Sequence, residues 1–308
     1  MKILVTGGAG FIGSQVAAAY CAAGHEVTVL DDLSTGKRAN LPPEARFVQA
    51  DIASPQAAEL VAAEGFEVVN HHAAHISVPA SVSDPMHDAR SNVLGLLNLL
   101  EAGRKSSLKR FIFISSGGAV YGELEGRPVD ESHPARPMSP YAVSKRAGEL
   151  YLEFYAAQHG LGTVALRYAN IYGPRQVPHA EAGVVAIFMD CLVEGAEPTI
   201  YRHPDQARGM ARDYTYVGDV VRANLLALEK GQGIYNIGTG QATDTLGLWL
   251  AIQEAAGRKM GNAWGPARPG DIRYSALNCA RAAAELGWSP QYDLARGLAE
   301  TWAWRVKQ

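Results

Sequence analysis

The segment Lys2-Ile-Leu-Val-Thr-Gly-Gly-Ala-Gly-Phe-Ile-Gly13 decides the fold of this 308-residue chain. A short apolar strand is followed by Gly7, Gly10 and Gly13, and the Ala-rich stretch 14–23 then predicts a helix, with a second strand at 26–30. Glycines at this spacing allow a tight turn and bring the backbone close to a pyrophosphate, which the positive end of the helix dipole attracts. The segment therefore predicts the first βαβ unit of a dinucleotide-binding domain.

The same alternation continues along the chain and predicts an α/β fold with a doubly wound parallel sheet (Rossmann). A long helix is expected at 140–159, followed by a strand at 163–167. Beyond residue 173 the pattern loosens, so we expect a dinucleotide-binding domain over 1–172 and a smaller C-terminal α/β lobe over 173–308, interleaved with the sheet. The other expected strands are 45–50, 66–71 and 109–115, and the other expected helices are 54–64, 86–103, 181–194, 217–229, 243–256 and 293–306.

Composition excludes several classes of protein. Lys plus Arg number 28 and Asp plus Glu 31, a net charge of −3 that offers no general attraction for nucleic acid or an anionic membrane. No stretch approaches the ~18 consecutive apolar residues of a membrane span. Three widely spaced cysteines fit reduced thiols better than a disulfide framework. We expect a cytoplasmic protein.

Acidic residues follow the second and third strands. Asp31 and Asp32 end the second strand, where a carboxylate can accept hydrogen bonds from ribose 2′- and 3′-hydroxyls. An acid there repels a 2′-phosphate, so the sequence favours NAD over NADP. Asp51 and Ile52 follow the third strand and are a weaker candidate pair for contacting the adenine.

Tyr141 and Lys145 place a phenol and an ammonium on one face of the predicted helix. A neighbouring cation lowers the pKa of a phenol, so we expect Tyr141 to serve as a general base and acid. Ser115 and Ser116 end the strand before this helix, at the carboxyl edge where ligands bind in such sheets. The sequence therefore predicts a catalytic site with these four residues.

Four motifs resemble the extended short-chain dehydrogenase/reductases, and most of all the UDP-glucose (UDP-galactose) 4-epimerase family. They are Thr6–Gly13, Tyr141-x-x-x-Lys145, Arg167-Tyr-Ala-Asn170 and Arg268-Pro-Gly-Asp271. The resemblance implies an enzyme with tightly bound NAD that inverts C4 of a UDP-hexose through a 4-keto intermediate, and a homodimer formed through helices near 86–103 and 140–159. It implies these cofactor residues: Gly7, Gly10, Phe11, Ile12, Gly13, Asp31, Asp51, Ile52, Ala73, Ala74, Asn92, Tyr141, Lys145 and, near the nicotinamide, Tyr168.

The resemblance also implies a substrate end built from donors for a diphosphate, because the net charge of the chain gives no help. Arg212, Arg268 and Asn170 match the diphosphate-binding residues of the family, and Asp271 completes the second arginine's motif. The segment Ala182-Gly-Val-Val185, with Val184 and Val185, matches the wall against the uracil. Ser275 occupies a position at which a small residue admits an N-acetyl group at sugar C2.

The chain departs from the family at two places. The hydroxyl residue of the family aligns with Gly117, so we expect Ser116 to bind the sugar 4-oxygen, with Ser115 as the second candidate. Gly118 and Ala119 stand where related 4,6-dehydratases carry an Asp-Glu pair, so elimination is not supported. The segment 202–211 is longer than in relatives; it either reshapes substrate entry or is a neutral surface insertion.

Two alternatives to this function remain open at this stage. One is another extended reductase acting on a nucleotide sugar, such as a UDP-uronate epimerase. The other is a non-catalytic NAD-sensing module, which retention of both Tyr141 and Lys145 disfavours. His71, His72 and His75 do not suggest a metal site, because successive strand residues point to opposite faces.

Overall fold

A parallel sheet forms the centre of the computed structural model, which describes residues 1–178, 183–268 and 270–308. The strands are β1 (Lys2–Thr6), β2 (Glu26–Asp31), β3 (Arg46–Gln49), β4 (Val68–His71), β5 (Arg110–Ser116), β6 (Gly162–Tyr168), β7 (Asn170–Tyr172), β8 (Thr199–Arg202), β9 (Ala211–Tyr216), β10 (Gly233–Ile237), β11 (Ala242–Asp244), β12 (Ala263–Pro266) and β13 (Tyr274–Ser275). The α-helices are α1 (Phe11–Ala22), α2 (Pro55–Ala63), α3 (Val78–Ser83), α4 (Pro85–Ala89), α5 (Gly95–Arg104), α6 (Gly117–Val120), α7 (Pro140–His159), α8 (Val184–Glu194), α9 (Val217–Ala227), α10 (Thr245–Ala256) and α11 (Leu294–Arg305).

The main sheet has seven strands in the order β10-β6-β5-β4-β1-β2-β3, and every neighbouring pair is parallel. The order reverses between β1 and β4, which is the point where open α/β sheets bind ligands at their carboxyl ends. The predicted doubly wound α/β fold is confirmed.

Helices cover both faces of this sheet. On one face α1 and α9 bury a core that contains Val16, Tyr20 and Val220, and on the other α2, α5 and α7 bury a core that contains Val61 and Leu99. Parallel strands covered in this way lie in apolar surroundings on both sides. The carboxyl ends of the strands are therefore the place where polar groups can meet a ligand.

Helix α7 begins and ends where the sequence signals predict. The Ser139 side chain accepts a hydrogen bond from the amide of Ala142, Pro140 occupies the first turn, and Gly160 ends the helix at φ +66°. These signals fix the position of the helix that carries Tyr141 and Lys145.

The smaller lobe is built on short strands β7, β9, β11 and β13 and on the pair β8 and β12. Its core packs Trp249 of α10 against Phe188 of α8. Strand β10 leaves this part of the chain and joins the main sheet beside β6. Residues beyond 173 thus contribute one strand to the main sheet.

The predicted helix at 86–103 is divided in the structure. Asp84 accepts from the amide of His87 and caps the short α4, and a π-helical turn at Arg90–Leu94 separates α4 from α5. The start of the helix predicted at 181–194 lies outside the described residues. In the described ranges no helix is both long and apolar enough to cross a lipid bilayer.

Candidate active site

A cleft of about 1080 Å³ opens at the carboxyl ends of the strands and extends to the smaller lobe. Of the residues predicted for the site, all but Asn92 and Ser275 line it. They are Gly7, Gly10, Phe11, Ile12, Gly13, Asp31, Asp32, Asp51, Ile52, Ala73, Ala74, Ser115, Ser116, Tyr141, Lys145, Tyr168, Asn170, Val184, Val185, Arg212, Arg268 and Asp271. Ala182 and Pro269, from two of the quoted motifs, lie outside the described residues.

The glycine turn between β1 and α1 has no room for side chains. A Cβ at Gly7, whose φ is +66°, would lie 2.6 Å from the amide nitrogen of Ala73, and one at Gly13 would lie 2.4 Å from the carbonyl oxygen of Gly7. Gly10 begins α1 without a side-chain cap, so the first amides of that helix have no side-chain acceptor there. This turn is a cradle for a negatively charged group.

Asp31 and Asp32 take different roles at the end of β2. Asp31 is buried, and its two carboxylate oxygens accept from the amides of Ala9 at 3.0 Å and Leu33 at 2.8 Å. Burial raises the pKa of Asp31 despite these bonds. Asp32 is exposed and accepts from the amide and hydroxyl of Ser34 at the rim. Asp31 is the better placed of the two for a ribose.

Tyr141 and Lys145 face the cleft together from α7. The Lys145 ammonium lies 5.8 Å from the centre of the Tyr141 ring and donates to the Ile114 carbonyl at 2.9 Å. The Ser116 hydroxyl lies close enough to the Tyr141 phenol to act against the rise of its pKa. A phenol, a hydroxyl and an ammonium thus line the same part of the cleft.

Ser115 turns the other way, as alternation along β5 requires. Its hydroxyl donates to Oε1 of the buried Glu149 at 2.6 Å. Ser115 lines the cleft, but its hydroxyl donates to Glu149, so Ser116 stays the first candidate for the catalytic hydroxyl.

The expectation of a lowered Tyr141 pKa is wrong for the protein chain alone. Burial raises the pKa of Tyr141 to about 12, although the Ser116 hydroxyl acts to lower it. Burial also lowers the pKa of Lys145 to about 8, with Asp88 and Glu149 opposing this. Removal from water is the largest cause of both pKa shifts.

Gly117 is glycine because of its neighbour. A Cβ there would lie 2.7 Å from Cδ1 of Leu277. The position at which the family carries its hydroxyl is therefore filled by a leucine side chain, and Ser116 is the hydroxyl that reaches Tyr141. Gly118 and Ala119 lie on the short α6 that follows. Neither residue is an acid.

Three predicted ligands are corrected by their contacts. The Asn92 amide bonds the backbone of His75 twice, at 2.8 and 2.9 Å, and donates to Asp88, so it lies behind the wall. Tyr168 lines the cleft, but its hydroxyl accepts from Asn224 in the core, at 2.6 Å. Ser275 is buried beside Arg212 in the strand pair β13 and β9 and does not line the cleft.

The far end of the cleft carries the cationic groups. Arg212 is fixed by bonds to the carbonyls of Ala211 and Ile272. The Arg268 guanidinium lies 4.1 Å from the centre of the Tyr201 ring, and the Asp271 carboxylate accepts from the Arg268 amide at 2.9 Å. Asp271 therefore shapes the loop of Arg268.

Asn170 also points to a ligand at this end. Its Nδ2 is buried and has no hydrogen-bond partner within the described residues. A buried amide donor is costly unless it is satisfied, so Asn170 is suited to an acceptor oxygen in the cleft.

Sequence reasoning missed part of the substrate wall. Tyr201, Met210, Tyr214 and Thr245 also line the cleft. Tyr201 lies near the end of the short strand β8, just before the unusual segment 202–211. An aromatic residue followed by an insertion was the one sequence signal that pointed to this part of the wall. Within that segment the His203 imidazole bonds the Asp271 carbonyl at 3.0 Å, so the insertion packs against the arginine loop.

His71 serves the sheet, since its Nδ1 bonds the Thr6 hydroxyl at 2.8 Å. Over the described ranges no group of three or more His, Cys, Asp or Glu side chains is arranged to hold a metal ion.

The chain belongs to the NAD dependent epimerase/dehydratase family, whose sequence pattern matches residues 3–238. Among its relatives, a UDP-glucose 4-epimerase of Mycolicibacterium smegmatis is 44% identical over 98% of this chain and 97% of its own length. The structure of a UDP-glucose 4-epimerase of Thermotoga maritima with UDP-glucose has 44% identity and a TM-score of 0.95, over 100% of this chain and 99% of its own. That of the Thermus thermophilus UDP-glucose 4-epimerase with NAD has 46% identity and a TM-score of 0.94, over 99% and 98%.

The cofactor of this family is NAD, and the residues present fit it. The glycine cradle, where any Cβ would meet backbone, suits the pyrophosphate, and the buried Asp31 carboxylate suits a ribose. Ala73, Ala74, Asp51 and Ile52 would form the remaining wall.

Proposed function

We propose that this protein interconverts UDP-glucose and UDP-galactose by inverting C4 of the sugar through a bound 4-keto intermediate. The observation that carries the proposal is the meeting of Tyr141, Ser116 and Lys145 in one cleft whose far end holds Arg212 and Arg268. One end can move a proton, and the other can hold a diphosphate.

Tyr141 removes the proton of the sugar 4-hydroxyl and later returns it to the 4-oxygen. Ser116 donates to that oxygen and orients it towards the phenol. NAD, when bound, would supply the acceptor and donor of the C4 hydride, and its positive nicotinamide would favour the tyrosinate that burial alone disfavours. Lys145 adds a second positive charge and would hold the cofactor ribose.

Arg212, Arg268 and Asn170 hold the diphosphate while the sugar turns. A planar guanidinium grips phosphate oxygens in pairs, and the bonds that already fix Arg212 keep it in place. Because the tether stays bound, the keto sugar can present its other face without leaving the cleft. No acid stands at Gly118 or Ala119 to protonate a leaving hydroxyl, so epimerisation is favoured over elimination.

The test is turnover of UDP-galactose by the purified protein without added NAD, with the product identified by NMR. Tyr141→Phe removes the proton acceptor and is expected to lower kcat by about 10²–10⁴-fold. Tyr151→Phe on the same helix, outside the cleft, is the matched control and should retain full activity. Near-normal turnover by Tyr141→Phe would discard the assignment.

A sugar panel separates this function from its relatives. The sequence predicts that UDP-N-acetylglucosamine is turned over as well, although Ser275, the residue behind that prediction, does not line the cleft. Undetectable activity with it, alongside robust turnover of UDP-galactose, would refute that expectation. Turnover of a UDP-uronate alone would support the uronate epimerase instead.

We also propose a homodimer through α7 and its neighbours. Val143, Leu150 and Phe154 form an apolar stripe along α7 and are each about half exposed, at 53%, 49% and 51%. Leu94 and Met86 are exposed on the adjoining segment. An apolar patch of this kind suits a second copy of the chain. Light scattering after gel filtration measures the mass, and a monomer at micromolar concentration would refute the dimer.

A further inference from the structure

We propose that Asp88 is a positioning residue, which holds the helix of Tyr141 and Lys145 against the cofactor wall and places a negative charge beside that pair. This rests on the proposed function, since it concerns the same site. The family motifs that revealed the site do not include this residue, and the catalytic steps above do not use it.

Asp88 is fully buried at the end of the short α4. Its Oδ2 accepts from the Ser144 hydroxyl at 2.5 Å, and Ser144 immediately precedes Lys145 on α7. Its Oδ1 accepts from the Asn92 amide at 2.9 Å. The carboxylate is therefore tied directly to the catalytic helix.

The second tie leads to the cofactor wall. Asn92, held by Asp88, bonds both the amide and the carbonyl of His75. His75 continues the segment of Ala73 and Ala74, and all three line the cleft. Asp88 thus joins the wall that faces the cofactor to the helix that carries the acid and base.

Several titratable groups surround the Asp88 carboxylate. Facing it are Tyr141 and Lys145 from α7, His75 at 3.7 Å from Oδ1, and His87 from its own helix, whose ring centre lies 5.0 Å from that of His75.

His71 and His72 face Lys145 from the end of β4, and Glu149 faces it from α7 itself. Burial lowers the pKa of His72 to about 3 and that of His71 well below its ordinary value, so neither carries charge at neutral pH. Glu149 is already bonded to Arg167. Asp88 and Glu149 both offset the burial of the Lys145 ammonium, and Asp88 does so more than Glu149.

The direct test measures the titration of Lys145 without using turnover. Trace acetylation with acetic anhydride at a series of pH values, read by peptide mass spectrometry, gives the midpoint at which Lys145 becomes reactive. Asp88→Asn is expected to move that midpoint about one pH unit lower, because a neighbouring opposite charge typically shifts a pKa by about 1–3 units. Asp88→Ser is a second neutral variant, in case the first does not fold.

Two controls separate charge from structure. Asp219→Asn removes an equally buried carboxylate on α9, which accepts from Gln291 and Tyr292, and should leave the Lys145 midpoint in place. Ser144→Ala keeps the Asp88 charge and should lower kcat without moving the midpoint.

The pH profile of kcat gives the second reading. In Asp88→Asn both limbs should move to lower pH, whereas a merely structural defect lowers the plateau and leaves the limbs in place. An unmoved Lys145 midpoint in the neutral variants overturns the proposal. Absence of turnover by the wild-type protein tells against the proposed function instead and leaves the labelling result intact.

Discussion

Replacing Glu149 with Gln should destabilise the protein by about 3–5 kcal/mol, the usual cost of removing one partner of a buried ion pair. The Glu149 side chain is fully buried, and its two oxygens accept from Nε and a terminal nitrogen of Arg167, each at 2.7 Å. Ser115 and Arg146 donate to it as well, at 2.6 and 2.9 Å. The glutamine has nearly the same shape, so the loss is one of charge, and it leaves the buried Arg167 guanidinium uncompensated.

The free energy of unfolding, measured by urea denaturation at pH 7, checks this value. Glu153→Gln on the same helix is the matched control, because Glu153 is half exposed and lies 3.6 Å from Arg146. An exposed pair of that kind contributes at most about 1 kcal/mol. A loss below about 1 kcal/mol for Glu149→Gln would refute the reasoning, since the buried pair would then be no stronger than a surface pair.

The pH dependence of the same measurement follows from the Glu149 pKa. Burial acts to raise this pKa, but the bonds from Arg167, Ser115 and Arg146 hold it below its ordinary value. A carboxyl whose pKa is lower in the folded state stabilises the protein above the unfolded pKa of about 4.3 and loses that contribution as pH falls through the folded pKa. The difference between wild type and Glu149→Gln should therefore shrink below about pH 4.

Three further predictions concern the cleft. Ser116→Ala should lower kcat with UDP-galactose by about tenfold, the value of one hydrogen bond, whereas Ser115→Ala should cost about 1 kcal/mol of unfolding free energy and spare kcat; equal kcat losses would contradict this. Arg268→Ala should raise KM by about tenfold or more in steady-state assays, with a smaller change in kcat; an unchanged KM would exclude it from the diphosphate. Gly7→Ala should weaken NAD binding in calorimetry, because its Cβ meets backbone at 2.6 Å, while Gly24→Ala shares the positive φ but has nothing within 4 Å and should bind NAD normally.

Local signals were enough to predict the fold. The glycine turn, the Asp31 strand end and the long helix at 140–159 depend on neighbours in sequence, and each lies where the pattern indicates. The parallel sheet followed from the same alternation of short apolar runs and helical stretches.

Hydrogen bonds between side chains that are far apart in sequence were not predictable from the sequence. Whether Ser115 or Ser116 faces the cleft depends on the Glu149 carboxylate, 34 residues away. Asn92 is turned from the cleft by bonds to His75 and Asp88. The Tyr141 pKa is dominated by burial, which only the assembled cleft creates.

Gly117 and Leu277 are 160 residues apart in sequence but in contact, so the residue type at one position limits the residue type at the other. A serine introduced at 117 alone would collide with the leucine, and a smaller residue introduced at 277 alone would open a hole beside the strand end. Either change by itself is penalised, so we expect residues 117 and 277 to change together among related enzymes. Residue 277 should therefore record which of the two hydroxyl positions a related enzyme uses.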